Sequence, residues 1–322
     1  MTTRLDVFSI KGGVGKTCIA FLLAKLQSEE KNEPVLLIDA DLTGTCLGDL
    51  IQPAVDEPWS SRKNLNHLVC TTSPERLDES LREEPLVYVH NASGTMQPLP
   101  GPVTGGKLLF CPSHLYATSK ARGAPGASGM SHEFEYIPAE VLHALLGHES
   151  AGGWVQHVLD ELIKATVQKV GKLGAVIVDH GPGIGALQSA LLETVKGKED
   201  KAHPRRALVV TSRDWVDLAA TATLEAMHLK PRSDSGNQPP EQLRGRVTWV
   251  VNQVRRSEGD WRESVKKGLT RNTAATLSRW FTEDALPLYE DDQLAEAYSR
   301  SGLSDLKTNQ ELTSLRNKIF GS

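Results

Sequence analysis

The sequence predicts an α/β protein: a mostly parallel, doubly wound sheet flanked by helices on both faces. Three observations carry that expectation. Short, continuous apolar runs recur along the chain, the stretches between them space apolar residues as helices do, and a glycine-rich turn joins the first run to the first helical stretch. The runs are Leu5 to Ile10, Val35 to Ile38, Lys107 to Cys111, Ala175 to Val178, Ala207 to Thr211 and Val247 to Val251. Continuity without polar alternation suits strands buried on both faces. Helical spacing marks Cys18 to Leu26, Trp154 to Val170 and Leu218 to Met227.

The 322 residues suffice for one large α/β domain over 1–322. Three Gly-, Pro- and Ser-rich stretches interrupt the rhythm as loop-rich insertions: "HNASGTMQPLPGPVTGG" (90–106), "SKARGAPGASGMS" (119–131) and "KPRSDSGNQPPEQ" (230–242). An apolar share of 39% with 24% charged residues excludes a wholly disordered chain. The net charge of −4 gives no overall attraction to nucleic acid, so any polyanion site must be local. Cys18, Cys46, Cys70 and Cys111 form no CxxC pair, which speaks against a zinc knuckle or a disulfide framework. Free thiols and the lack of a bilayer-length apolar run point to the cytoplasm.

The turn "IKGGVGKT" (10–17) carries the chemistry. A strand, a glycine turn and a helix starting at Thr17 gather backbone N–H groups around one concavity that favours phosphate. Gly12, Gly13, Val14, Gly15, Lys16, Thr17 and Cys18 line it. Lys16 would meet the β- and γ-phosphates and the Thr17 hydroxyl would bind Mg²⁺. The general GxxxxGK[ST] pattern fails, because Ile10 stands where it wants glycine. What matches is KGGxGK[ST], which resembles the deviant Walker A loop of the ParA/MinD family of P-loop NTPases. That resemblance implies that Lys11 reaches across a dimer interface to the partner's nucleotide, so that two protomers sandwich two ATP molecules.

Three further segments extend the resemblance. In "VLLIDADLTGTCLGD", Asp39, Asp41 and Gly44 match the family's first switch. It implies that Asp41 orients the attacking water and that Asp39 stands in the outer shell of Mg²⁺; Thr45 takes a place where relatives often carry Asn. In "GAVIVDHGPGIG", Asp179 would hold a Mg²⁺ ligand water and the Gly183 N–H would sense the γ-phosphate. His180 is read as structural, since phosphoryl transfer depends on positioning and charge rather than on strong bases. Asn252 ends a strand where the family reads the base, and its amide suits the N6/N7 edge of adenine. "ALPLYEDDQLAEAYSRSG" resembles the adenine-covering segment, with Pro287, Leu294, Glu296, Ala297 and Gly302 in register.

The expected activity is slow, partner-stimulated ATP hydrolysis by a homodimer assembled with ATP and Mg²⁺. Fold does not name the partner. Residues 230–280 hold 11 Lys or Arg against 5 Asp or Glu. In "DWRESVKKGLTR", Trp261, Val265 and Leu269 share one helical face while Arg262, Lys266 and Lys267 lie away from it. With Arg255, Arg256 and Arg271 they form a candidate surface for non-specific DNA, whose affinity would fall as salt rises. The reading is therefore a ParA-like positioning or partition ATPase with an unidentified cargo or activator protein. The alternative is a MinD-like ATPase recruited to membrane or protein without DNA. For membrane binding, the C-terminal "LKTNQELTSLRNKIFGS" spaces its apolar residues too sparsely, and it reads as a packed helix.

Overall fold

A computed structural model describes residues 2–42, 47, 64–83, 86–90, 96–99, 101–113, 141, 143–145, 147, 150–183, 188–189, 192, 195, 204–226, 243, 245–254, 260–272, 284–289 and 310–321. The strands are β1 (Thr3–Phe8), β2 (Val35–Ala40), β3 (Tyr88–His90), β4 (Met96–Pro98), β5 (Leu108–Cys111), β6 (Ala175–His180), β7 (Arg205–Ser212), β8 (Val247–Val254) and β9 (Leu286–Tyr289). They form one sheet in the order β4-β3-β5-β2-β6-β1-β7-β8-β9. The seven strands from β5 to β9 in that order are parallel to their neighbours. All six runs read from the sequence are strands here. The first ends at Phe8 rather than Ile10 because the chain turns into the glycine loop.

Helices cover both faces. Helix α1 (Lys16–Lys31) and α7 (Gln310–Phe320) lie on one; α2 (Leu65–Thr71), α3 (Leu77–Glu83), α4 (Ala151–Val170), α5 (Trp215–Leu224) and α6 (Trp261–Asn272) lie on the other. In α1, Phe21, Leu22 and Leu23 are at most 1% exposed, and each such side chain is worth roughly 1.5–3 kcal/mol in burial. Leu312, Leu315 and Ile319 of α7 pack into the same cluster as α1, so its apolar face is spent on the core. Helix α5 is α-helical to Leu224 and continues as a π-helical turn through Glu225 and Ala226, and the expected end at Met227 lies outside the described residues.

The stretch 90–106 is not wholly loop. Met96–Pro98 pairs antiparallel with Tyr88–His90, which in turn pairs antiparallel with β5. Buried Tyr88 and Val89 anchor the pair, and Pro98 is tolerated because β4 is an edge strand. Residues 119–131 and 230–242 lie outside the described residues, as do Gly44, Thr45, Arg255, Arg256 and the 290–302 part of the adenine-covering segment. Among the described residues no helix is long and apolar enough to cross a membrane.

An ionic cluster runs from buried Arg4, Asp6 and His180 out to Asp160 and Arg205 near the surface. Arg4 donates to Asp6 at 2.8 Å and to Asp160 at 3.0 Å, and His180 Nε2 lies 2.8 Å from Asp6. Arg205 joins through Asp160. His180 stacks on Phe8 at 4.5 Å, on the α4 side of β6, whereas Asp179 faces α1. Burial would push the Asp6 carboxyl upward, but Arg4 and His180 outweigh it and hold it well below the usual carboxylate range.

Candidate nucleotide site

The glycine loop, Asp39, Asp179 and Asn252 come from the carboxyl-end portions of parallel strands, where open α/β sheets bind ligands. β1 delivers the loop 11–15, β2 delivers Asp39, β6 delivers Asp179 and β8 delivers Asn252. Asp39 and Asp179 are register partners on adjacent strands although 140 residues separate them in sequence.

The glycine loop feeds directly into α1. No side chain caps this helix, and its first intrahelical bond, Ile19 N–H to the Gly15 carbonyl, leaves the preceding N–H groups at an open helix start. Gly15 has φ 84°, and a Cβ there would sit 2.4 Å from Asn252 Nδ2. Only glycine satisfies both constraints. Asn252 donates from that nitrogen to the Val14 carbonyl at 2.8 Å, so the residue expected to read the base also braces the loop. Gln253 beside it has φ 61° and marks a register shift between β8 and β9, a bulge that re-aims the strand end at the site. Pro287 lies on β9 opposite Val251, on the far edge of the sheet.

Lys16 is 5% exposed and places Nζ 2.5 Å from Asp179 Oδ1 and 3.3 Å from Thr17 Oγ1. Asp39 is fully buried and accepts from the Asp41 N–H at 3.1 Å, the Leu47 N–H at 2.7 Å and the Ser113 hydroxyl at 3.0 Å. Burial, reinforced by Asp179 and Asp41, pushes its carboxyl up to about 8. Asp41 is buried as well, and a Cβ on Gly181 would lie 2.8 Å from its Oδ1, so glycine there lets the turn after β6 approach Asp41 closely. The Gly183 N–H, expected to face phosphate, here donates to the Ser9 carbonyl at 3.0 Å and ties the turn after β6 to the residue that follows β1. Cys18 is buried, and burial together with Asp179 raises its thiol to about 12, so it is an inert thiol at the loop's base.

Magnesium fits this set. Asp39, Asp41 and Asp179 put three carboxylates against one ammonium, and additional positive charge would relieve the burden on Asp39. Among the described residues no three or more His, Cys, Asp or Glu side chains are grouped to hold a metal directly. Asp39 already spends its oxygens on protein donors. The Thr17 hydroxyl, 3.3 Å from Lys16 Nζ, could hold the ion directly, and the carboxylates could act through its water ligands, as Mg²⁺ commonly accepts.

Residues 6–301 match the family model described as the CobQ/CobB/MinD/ParA nucleotide binding domain. The chain belongs to that family. Solved members of the MinD/ParA group share its fold at low identity. A putative plasmid partition protein from Borrelia burgdorferi bound to AMPPNP is 14% identical, with a TM-score of 0.54 over 99% of this chain and 97% of that one. An ATP complex of Cyanothece McdA is 14% identical, TM-score 0.53, covering 99% and 96%. MinD from Pyrococcus horikoshii with Mg-ADP is 16% identical, TM-score 0.50, covering 99% and 95%. No curated protein matches the chain by sequence.

For the MinD/ParA loop the two lysines differ sharply. Lys16 is buried, whereas the Lys11 side chain is 54% exposed and pairs with Asp217 at 3.2 Å. Asp217 was not among the sequence candidates; its only signal was its place in "DWVD" at a helix start. The candidate DNA surface is less free than expected. Arg262 is half-buried, donates to the Ala285 carbonyl at 3.2 Å and lies 4.8 Å over the Trp261 ring, so it does not project as a free cation. Lys266 is exposed and 3.4 Å from Glu263, and Lys267 is exposed. The side chain of Arg271 is outside the described residues.

Proposed function

We propose that residues 1–322 form a single Mg-ATP-dependent molecular-switch ATPase domain that dimerises around ATP and hydrolyses it slowly to ADP and phosphate. The observation that carries this reading is the contrast within one loop: Lys16 sealed among the carboxylates, Lys11 standing at the solvent rim. Lys16 neutralises the terminal phosphates from within its own subunit, with the loop N–H groups of residues 12–18 around them. Lys11 supplies the second cation in trans. Asp41 orients the attacking water. Asn252 and Pro287 border the base. Thr17 holds Mg²⁺, with Asp39 and Asp179 steering its water ligands; the ion offsets charge on the phosphates.

ATP loss would reopen the dimer, because the trans contact depends on the γ-phosphate. Non-specific DNA is the proposed surface of the ATP dimer, resting on the positive balance of residues 230–280 and on exposed Lys267. The apolar residues of α7 are buried against α1, which leaves that helix no apolar face for lipid. An activator or cargo protein completes the cycle.

Sedimentation of Asp41→Ala tests this. With Mg-ATP the mass should double and persist while hydrolysis falls about a hundredfold or more, the low end of what a side chain positioned on the reacting water contributes. Duplex DNA should then bind at low salt and release as salt rises. A dimer indifferent to DNA would remove the DNA surface and leave the switch; normal hydrolysis by Asp41→Ala would remove Asp41's role. Lys11→Ala should retain nucleotide binding and lose the dimer, checked by the same method.

A further inference from the structure

Lys11 already has an anion in its own chain. Asp217 is the third residue of α5, 4% exposed, and its Oδ1 lies 3.2 Å from the Lys11 ammonium. The rest of that helix start is satisfied internally. Ser212 Oγ donates to Asp217 Oδ2 and accepts from the Asp214 N–H at 3.1 Å, and Asp214 caps α5 by accepting from the Val216 N–H at 2.8 Å. Asp217 Oδ1 is buried and takes no hydrogen bond among the described residues, so its compensation is the Lys11 charge.

One ammonium cannot sit on Asp217 and also reach a nucleotide in another subunit. We propose that Asp217 is a positioning residue for Lys11: it holds the lysine against its own subunit, and dimerisation exchanges this carboxylate for the phosphate of the second copy's ATP. The inference rests on the trans role given to Lys11 above. The exchange is physically balanced. The Lys11 end of the pair is more than half exposed, so solvent screens it and the hold is weak. The terminal phosphate carries more charge than a carboxylate. Asp217 keeps its Ser212 bond and the favourable field of the α5 N-terminus after the lysine leaves.

The flanking residues point the same way. Trp215 and Val216 are 45% and 46% exposed and are the exposed large hydrophobic residues among those described. They immediately precede Asp217, at the corner the lysine must leave. A second copy seated here covers them and excludes water from the lysine, which strengthens whichever anion it then holds.

The test is a Mg-ATP titration of dimerisation by sedimentation, comparing wild type, Asp217→Asn, Lys11→Ala and the double variant. Freed from its resting partner, Lys11 should reach the second subunit sooner, so the midpoint ATP concentration for Asp217→Asn should fall about two- to fivefold, the scale of a screened pair. The difference should shrink as salt rises, and the double variant should match Lys11→Ala. Asp217→Ser, which keeps a helix-start acceptor without charge, serves if the Asn variant fails to fold. An unchanged or raised midpoint with Lys11→Ala still monomeric overturns the role of Asp217 alone. Normal dimerisation by Lys11→Ala overturns the trans-lysine reading itself.

Discussion

Lys16→Ala should weaken Mg-ATP binding at least about a hundredfold, since a charge-assisted hydrogen bond is worth roughly 1.5–3 kcal/mol and in the proposed site this ammonium would face two phosphates. The structure adds a second cost. Lys16 is the cation 2.5 Å from Asp179, in a cluster where burial and neighbouring carboxylates already raise Asp39. Without it, the polyphosphate would enter a pocket of uncompensated acids. Lys16→Arg should not rescue, because the planar guanidinium needs more room than a 5% exposed position against Asp179 provides. Calorimetric titration with Mg-ATP, alongside circular dichroism to verify folding, checks this. Binding within about threefold of wild type would show that the loop N–H groups suffice and that Lys16 serves Asp179 instead.

The loop 11–17 and the two acidic strand ends were legible in the sequence for a local reason. Turn glycines, the helix start after them and an aspartate closing an apolar run are all settled within a few residues. Their convergence was not local. Asp39 meets Asp179 because β2 pairs with β6 across 140 residues, and a strand order of β2-β6-β1 cannot be read from apolar runs that look alike. Ser113 reaches Asp39 from the end of β5, and no pattern around it announces that. Lys11 was legible as a cation of the loop, but its resting partner Asp217 looked like an ordinary helix-start acid. The basic helix shows the converse error. Periodicity placed Arg262 away from the apolar face, yet a long side chain can fold back, and here it lies over Trp261 and bonds the Ala285 carbonyl. The edge pair β3–β4 was hidden because Gly, Pro and Ser around it read as loop.

The largest stability effect expected away from the site comes from Asp6→Ala, beneath the phosphate loop on the opposite face of β1. Removing one partner of a buried ion pair costs roughly 3–5 kcal/mol, because the other charge is left uncompensated. The lower end applies, since Arg4 keeps Asp160 at 3.0 Å. The sign with pH follows from the two titrating groups. Asp6 is held low, so the stability it contributes is full above its unfolded value of about 4 and is lost only as pH falls through the depressed folded value. Burial lowers His180, against the opposing pull of Asp6. A buried neutral imidazole costs stability as pH falls below about 6.5, where the unfolded chain takes up a proton that the folded chain refuses. Without Asp6 nothing in the cluster offsets that burial, so Asp6→Ala should be both less stable at pH 7 and more acid-sensitive between pH 6.5 and 5. Denaturant unfolding at several pH values reads both. The double variant Arg4→Met/Asp6→Leu should recover much of the loss at pH 7, since apolar replacement of both partners removes the stranded charge. If Asp6→Ala unfolds at the same denaturant midpoint as wild type, solvent reaches the cluster and the ion pairs beneath the loop carry no stability.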